Sequence, residues 1–367
     1  MRRQCPFPAD AVGELDLQAP VRPTSSRVRF SRWKPGGLVN VALCTIVAVV
    51  FFAISTDADI PEPEAQIWTA GASDHGCFES VDFAEDGKTI ASVDSDGYAA
   101  LWDVATGLTN QSRPDRLVGI RSLAFSPDRR TLATGNVDST ITIRDVESLE
   151  SLSTLGGHPT CVRAVAFSPD GKMLASASVD GTLILWRTTP GYSPVHQIRS
   201  PSMIVLIGFS PDGTILATTH NDGEVRVRDV ASPAQSSVIS CESKLPRGIA
   251  FSPDGRTLAL SSIVSSKILF WDLHEKRFTD SLIGPARSVQ SLTYSPDGKV
   301  LVATGNTGIL HFWNLAADRR GATVRCGTTK VRSAKFSPDG RTLASGDNDH
   351  CVRLWDVNKI LATANGQ

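Results

Sequence analysis

The chain has 367 residues, of which 41% are hydrophobic and 20% charged, an ordinary globular balance that excludes bulk disorder. Its formal net charge of −1 gives no overall electrostatic reason to expect nucleic acid as a partner. The charge is unevenly placed, however, and that unevenness organises the first 64 residues.

Residues 1–37 hold seven basic side chains (Arg2, Arg3, Arg22, Arg27, Arg29, Arg32, Lys34) against Asp10, Glu14 and Asp16, a local +4. Residues 57–64 hold Asp57, Asp59, Glu62 and Glu64, a local −4. Between them LVNVALCTIVAVVFFAI, residues 38–54, carries no charge and is apolar all round rather than along one helical stripe. A bilayer core needs roughly 20 apolar residues, with about 17 as the lower limit; Gly36, Gly37, Ser55 and Thr56 can extend the run. The sequence therefore predicts a single-pass transmembrane anchor over 38–56, a basic cytoplasmic arm over 1–37 and an acidic linker over 57–64. The positive-inside rule then carries everything after residue 56 across the membrane, into the periplasm for a bacterial chain. A buried core helix and a cleavable signal peptide are the rival readings. The second would need an unusually long charged leader and a mediocre small-residue site from Thr56 to Ala58.

Beyond the linker the chain repeats itself. Aligned on the aromatic that precedes each SPDG-like turn, the units begin their count at Phe83, Phe125, Phe167, Phe209, Phe251, Tyr294 and Phe336, in steps of 42 residues with one of 43. A second mark follows 19 residues on, 20 in the fifth unit: Trp102, Arg144, Trp186, Arg228, Trp271, Trp313 and Trp355. Within the third unit VRAVAF alternates with period two as a packed strand does. SPDG then turns the chain: Pro169 presets φ, Asp170 bonds local backbone and Gly171 accepts positive φ. KMLASAS, a VDG turn and TLILW supply two more strands, and the stretch around 192–198 a fourth. A sheet of 42 residues cannot bury both faces alone, so neighbours must stack, and seven set around an axis make a β-propeller.

With these repeats and turns the chain resembles the WD40-repeat family over residues 65–357, and its regular spacing resembles that of bacterial, membrane-anchored members. The resemblance implies an all-β, seven-bladed propeller in which residues 65–72, AQIWTAGA, close the ring as the outer strand of the last blade. Residues 358–367 would be left as a C-terminal tail. It also implies a structural tetrad, which His158, Ser176, Asp180 and Trp186 match in blade 3; blade 1 offers His75, Ser92, Asp96 and Trp102. Arg144 and Arg228 stand at tryptophan positions, and we expect each guanidinium to replace the indole as donor to Asp138 or Asp222, beside Thr134 or Thr218. Ser265 in blade 5, and Ala303 and Thr307 in blade 6, depart from the tetrad and mark those blades as the weaker sector.

Catalytic chemistry finds little support. There is no GxSxG elbow, HExxH or phosphate-binding glycine loop. The remaining histidines are scattered over different blades, and DSDG (94–97) and DNDH (347–350) do not continue into a calcium-loop pattern. No cofactor and no metal site is expected. Seven cysteines (Cys5, Cys44, Cys77, Cys161, Cys241, Cys326, Cys351) form no CxxC pair, and the last five read as buried thiols rather than a disulfide framework.

One constellation stands out. Four residues before each aromatic mark lie Glu79, Arg121, Arg163, Val205, Arg247, Gln290 and Arg332, at the start of the innermost strand and hence at the mouth of the central channel. Lys244, Arg287 and Lys330 adjoin them. Arginine binds carboxylates and phosphates bidentately, and a cleft of one sign focuses potential. The alternative is that these arginines are repeat-consensus residues satisfied by backbone or neighbouring acids. By resemblance to the family, the expected function is a non-catalytic protein-interaction scaffold; the uncharged run would tether it to a membrane, and the arginines would receive acidic or phosphorylated protein partners around the channel mouth. A propeller enzyme or anionic-glycan binder, and a cytoplasmic scaffold of inverted topology, are the competing classes.

Overall fold

Each of the first six repeat units folds into a four-stranded antiparallel sheet and the seventh supplies three strands of another, so that the computed structural model contains seven four-stranded sheets among its described residues, 65–71, 76–112, 119–241, 245–284, 289–316 and 321–365. The expected arm, the expected anchor over 38–56 and the acidic stretch 57–64 lie outside these residues. Among the described residues no helix is long and apolar enough to cross a membrane. Blade 3 shows the pattern: Val162–Phe167 is innermost, followed outward by Met173–Ser178, Thr182–Arg187 and Ser193–Arg199.

The SPDG turn that joins the first two strands is held from within. Ser168 Oγ donates to Asp170 Oδ1 (2.7 Å) and accepts the Met173 N–H (2.9 Å), while Asp170 Oδ1 accepts the Lys172 N–H (3.0 Å). Gly171 sits at φ +68°, and a Cβ there would lie 3.5 Å from Pro127 in the same turn of blade 2. Turn therefore meets turn around one face of the ring. Blade 1 lacks both the serine and the proline, having Ala84 and Glu85, and there blade 2 answers with Arg129 in place of glycine, its guanidinium 3.8 Å from Asp86.

The core lies between blades rather than within them, since each sheet must bury its faces against its neighbours. Ala133, Ile141 and Ile143 of blade 2 pack with Val162, Leu174 and Trp186 of blade 3 in one buried cluster. Side chains also stitch neighbours together near the channel. Ser122 Oγ accepts the Val165 N–H (3.2 Å), and Ser333 Oγ of the last blade accepts the Val81 N–H of the first (3.3 Å).

Ring closure rests on Gln66–Gly71, which pairs antiparallel with Cys351–Asp356 as the outermost strand of blade 7. From there Trp68 reaches into blade 1. Its indole N–H donates to the Val104 carbonyl at 2.9 Å, and its ring stacks on Trp102 with centroids 6.4 Å apart. One side chain thus couples the last blade to the first. The segment expected as a tail instead begins with a helix, Val357–Asn365, whose Val357 and Ile360 are buried against Ala322 and Val324 of blade 6. So short an amphipathic run carries too few turns for its period to be read in the sequence.

Candidate binding site at the channel mouth

The seven ring positions come together, and a local irregularity explains how. In every blade the innermost pair of strands shifts register at this residue: Val162 faces Ser178 while Ala164 faces Ala177, so Arg163 is the extra residue of a bulge. The same shift spans Phe78 to Ser80, Ile120 to Ser122 and Val331 to Ser333, and recurs in blades 4, 5 and 6. A bulge re-aims the side chain it carries. All seven bulge residues line one cavity of about 180 Å³ at the end of the central channel. Reading VRAVAF as a regular alternating strand missed this device.

Its electrostatics centre on one acid. Glu79 Oε1 is 2.6 Å from Arg121 Nη1, and Glu79 Oε2 is 3.2 Å from Arg332 Nη1. All three side chains are largely buried. Arg332 Nε further donates to Asn348 Oδ1 (2.6 Å), and Gln290 Nε2 to Asn306 Oδ1 (3.0 Å). Burial holds the Arg163 guanidinium below the ordinary arginine value; Glu79 opposes that shift, and Arg121 and Arg332 add to it. Arg247 is buried and lines the same cavity, as does Lys330. Glu79 is the single carboxylate among its described lining residues, so the paired acids of a glycosidase-type site are not assembled there. The opposite end of the channel is different. A cavity of about 360 Å³ there is lined by Asp82, Glu85, Lys335 and turn prolines and aromatics such as Pro127, Pro296 and Phe336. Burial raises the Asp82 carboxyl, against the pull of Lys335 and the N–H groups of Phe125 and Phe83.

Among the tetrad positions the serine hydroxyl is the hub of the hydrogen bonds. In blade 3 Ser176 Oγ accepts the Trp186 indole N–H at 2.8 Å and lies 2.6 Å from His158 Nε2. Asp180 does not join that chain by hydrogen bond; it accepts from the Thr182 N–H (3.1 Å) and hydroxyl (2.8 Å). Trp102 and Trp355 donate to Ser92 and Ser345 at the same 2.8 Å. In blade 7 a cysteine takes the histidine's place, with Cys326 Sγ 3.1 Å from Ser345 Oγ. His75 lies outside the described residues. The expected Arg144–Asp138 and Arg228–Asp222 pairings are corrected. Arg144 donates to the Leu149 carbonyl (3.1 Å), and Arg228 to the Thr218 hydroxyl (3.1 Å). Asp138 accepts from Thr140, and Asp222 from Glu224 and Arg226. The aspartate is spent on the turn it occupies, so the donor at the tryptophan position goes elsewhere.

A family description built on the first β-propeller of IFT122 matches residues 77–356, more than three-quarters of the chain. The chain belongs to that family. It is also 30% identical over 69 residues to a WD repeat-containing protein, SL1-17, of Schistosoma mansoni, a match covering 19% of this chain and 23% of the relative. WD40-type propellers generally act as non-enzymatic scaffolds that bind other proteins, and a seven-bladed propeller of that type is what the strands here build.

The described cysteines (Cys77, Cys161, Cys241, Cys326 and Cys351) are free thiols. Burial pushes Cys241 and Cys326 up to about 11, which removes them from nucleophilic chemistry near neutral pH. Among the described residues no group of His, Cys, Asp and Glu is arranged to hold a metal ion.

Proposed function

We propose that this protein is a membrane-tethered, non-catalytic platform that recruits protein partners through the channel mouth bounded by Arg121, Arg163, Arg247 and Arg332. The observation that carries the reading is the convergence of the seven bulge residues on one recessed, predominantly basic cavity. A preformed ring supports it by lowering the ordering cost of binding. The basic arm, the uncharged run 38–54 and the acidic linker support an anchor with the propeller on the extracytoplasmic side. Confinement to the membrane plane would raise the platform's effective concentration for other membrane-bound components.

Two measurements test it. Full-length protein, solubilised in detergent, is used as bait beside a variant with all four arginines changed to glutamine, with thermal unfolding matched. Partners held by the parent and lost by the variant are expected; equal capture by both would move the contact to another surface. Separately, an epitope placed after Gln367 should be reached by antibody in cells whose inner membrane is intact. Access only after that membrane is permeabilised would invert the topology.

A further inference from the structure

In six blades the outer strand reaches the residue at the tryptophan position: Trp102 pairs with Thr109, Arg144 with Ser151, Trp186 with Pro194, Trp271 with Phe278, Trp313 with Gly321 and Trp355 with Gln66. Blade 4 stops short. Its outer strand, Ser237–Ser240, pairs only from Glu224 to Val227, which leaves Arg228 and Asp229 without a neighbour on that side. The backbone records the gap. One residue past the tryptophan position the N–H donates outward in other blades: Asp103 to the Leu108 carbonyl (2.9 Å), Asp145 to Glu150 (2.9 Å) and Asp356 to Ala65 (2.8 Å). Among the described residues the equivalent N–H of Asp229 has no acceptor. An unpaired edge of this kind is a template for another strand.

The gap opens into a groove of about 410 Å³ between blades 4 and 5, within the roughly 300–1,000 Å³ typical of binding pockets. Val227, Val238 and Ile239 line it from blade 4, and Trp271, Leu273 and Lys276 from blade 5. Residues 230–236, which could have covered it, do not line it. Trp271 is unusual in its own way. Leu260, fully buried, stands at the hub position of blade 5, so the indole meets no hydroxyl, and its N–H has no partner among the described residues. Phe278 holds that ring edge-on at 4.8 Å. Val238 is 47% exposed, and four of the seven exposed large apolar side chains among the described residues lie on these two blades (Val238, Val264, Phe278 and Ile283). Two of the three charges at the groove are already engaged. The Arg228 guanidinium donates to the hydroxyls of Thr218 (3.1 Å) and Ser200 (3.4 Å), and Asp229 Oδ1 accepts the Ala231 N–H (2.7 Å). Lys276, exposed, has no ion pair among the described residues and is the charge that a ligand would meet.

We propose that the groove between blades 4 and 5 binds an extended segment of a partner protein that carries an apolar side chain and a carboxylate two positions apart. The segment takes the place opposite Asp229 that the outer strand takes elsewhere, and one of its carbonyls accepts the Asp229 N–H. An extended strand turns alternate side chains to one face, so the apolar group covers Val238 and Leu273 while the carboxylate reaches Lys276. Main-chain bonds supply affinity and the side-chain contacts selectivity, as in other additions of a strand to a sheet edge. This surface lies on the rim of the ring and is separate from the channel mouth.

The probe is the blocked peptide acetyl-Ser-Leu-Thr-Glu-Ser-amide, titrated calorimetrically into full-length protein in detergent. The parent should bind it, and affinity should fall by roughly tenfold in Val238→Asp and by a smaller factor in Lys276→Gln. Both side chains are exposed, so melting temperatures should stay with the parent. Replacing the peptide's leucine with serine, or its glutamate with glutamine, should weaken binding to the parent. Hydrogen exchange over the fragment containing Asp229 should be fast in the free protein and slow with saturating peptide. Exchange there as slow as at Asp145 without peptide would mean that the edge is closed, and would overturn the proposal. So would equal affinity in parent and Val238→Asp, or no binding at millimolar peptide. The four-arginine variant of the channel mouth should bind the peptide as the parent does; loss there would move the acidic peptide to the mouth and overturn the groove. A dimer of the parent in sedimentation that Val238→Asp abolishes would give the groove to a second copy of this chain instead of a partner.

Discussion

Arg144 and Arg228 occupy the position that Trp102, Trp186 and Trp355 hold in other blades, and they solve the loss of the indole differently. Arg228 reaches the Thr218 hydroxyl, as the indoles reach serine, and so preserves the hub. Arg144 turns instead to the Leu149 carbonyl, away from the hub. A buried guanidinium is costly to desolvate, and Thr134, fully buried at the hub position, offers a hydroxyl to an indole. Arg144→Trp should therefore raise stability by about 1 kcal/mol. Asp138→Ala should lower it by a similar amount, because the carboxylate caps an exposed turn through Thr140. The two changes should add within about 0.5 kcal/mol in a double-mutant cycle measured by chemical denaturation. Coupling of 1 kcal/mol or more would restore the direct arginine–aspartate pairing that the side-chain positions here replace.

At the scale of single strands and turns, the repeat was legible because it rests on local chemistry. Proline, aspartate and glycine specify each SPDG turn, and period-two burial specifies the strands on either side. The bulge that aims the ring side chains was not legible, since nothing in the residues distinguishes VRAVAF with a bulge from the same letters without one. Nor was the exchange of histidine for Cys326, which keeps a third partner on Ser345 with a residue of other chemistry. Blade 6 shows what losing the hub means. Ala303, fully buried, stands where Ser176 and Ser345 stand, and His311 stacks on Trp313 at 6.0 Å with its Nε2 buried and unpaired. Ala303→Ser adds one oxygen where blades 1, 3 and 7 accept an indole N–H. A gain of about 1 kcal/mol is expected, read as a rise in melting temperature. A fall would mean that blade 6 has closed over the space that the hydroxyl needs.

Across the whole molecule, the candidate site was legible as a list of positions but not as an electrostatic object. The sequence places four arginines and a glutamate at equivalent offsets; only the closed ring sets Glu79 of blade 1 beside Arg332 of blade 7, 253 positions away. Closure likewise distributes buried and half-buried histidines through the ring, and these make the stability of the whole depend on pH. His158, His220 and His311, in blades 3, 4 and 6, are each held down to about 4, mainly by burial. Their ordinary value is 6.5. Between those values the unfolded chain binds protons that the folded chain refuses, so stability is full above pH 6.5 and declines as pH falls towards 4. At pH 5 the loss is about 2 kcal/mol for each histidine. The turn aspartates, such as Asp170 and Asp339, are held below the usual carboxylate range by their serine partners and extend the decline to lower pH. Asp82, raised by burial, works in the opposite sense and offsets part of it. His311 is the residue to change, because burial alone accounts for its shift. Melting temperatures of parent and His311→Phe should converge above pH 7 and separate at pH 5, with the variant higher by the share of one histidine. Parallel curves across that interval would assign the acid sensitivity to the carboxylates of the turns, and would mean that the blade 6 imidazole takes up its proton within the folded ring.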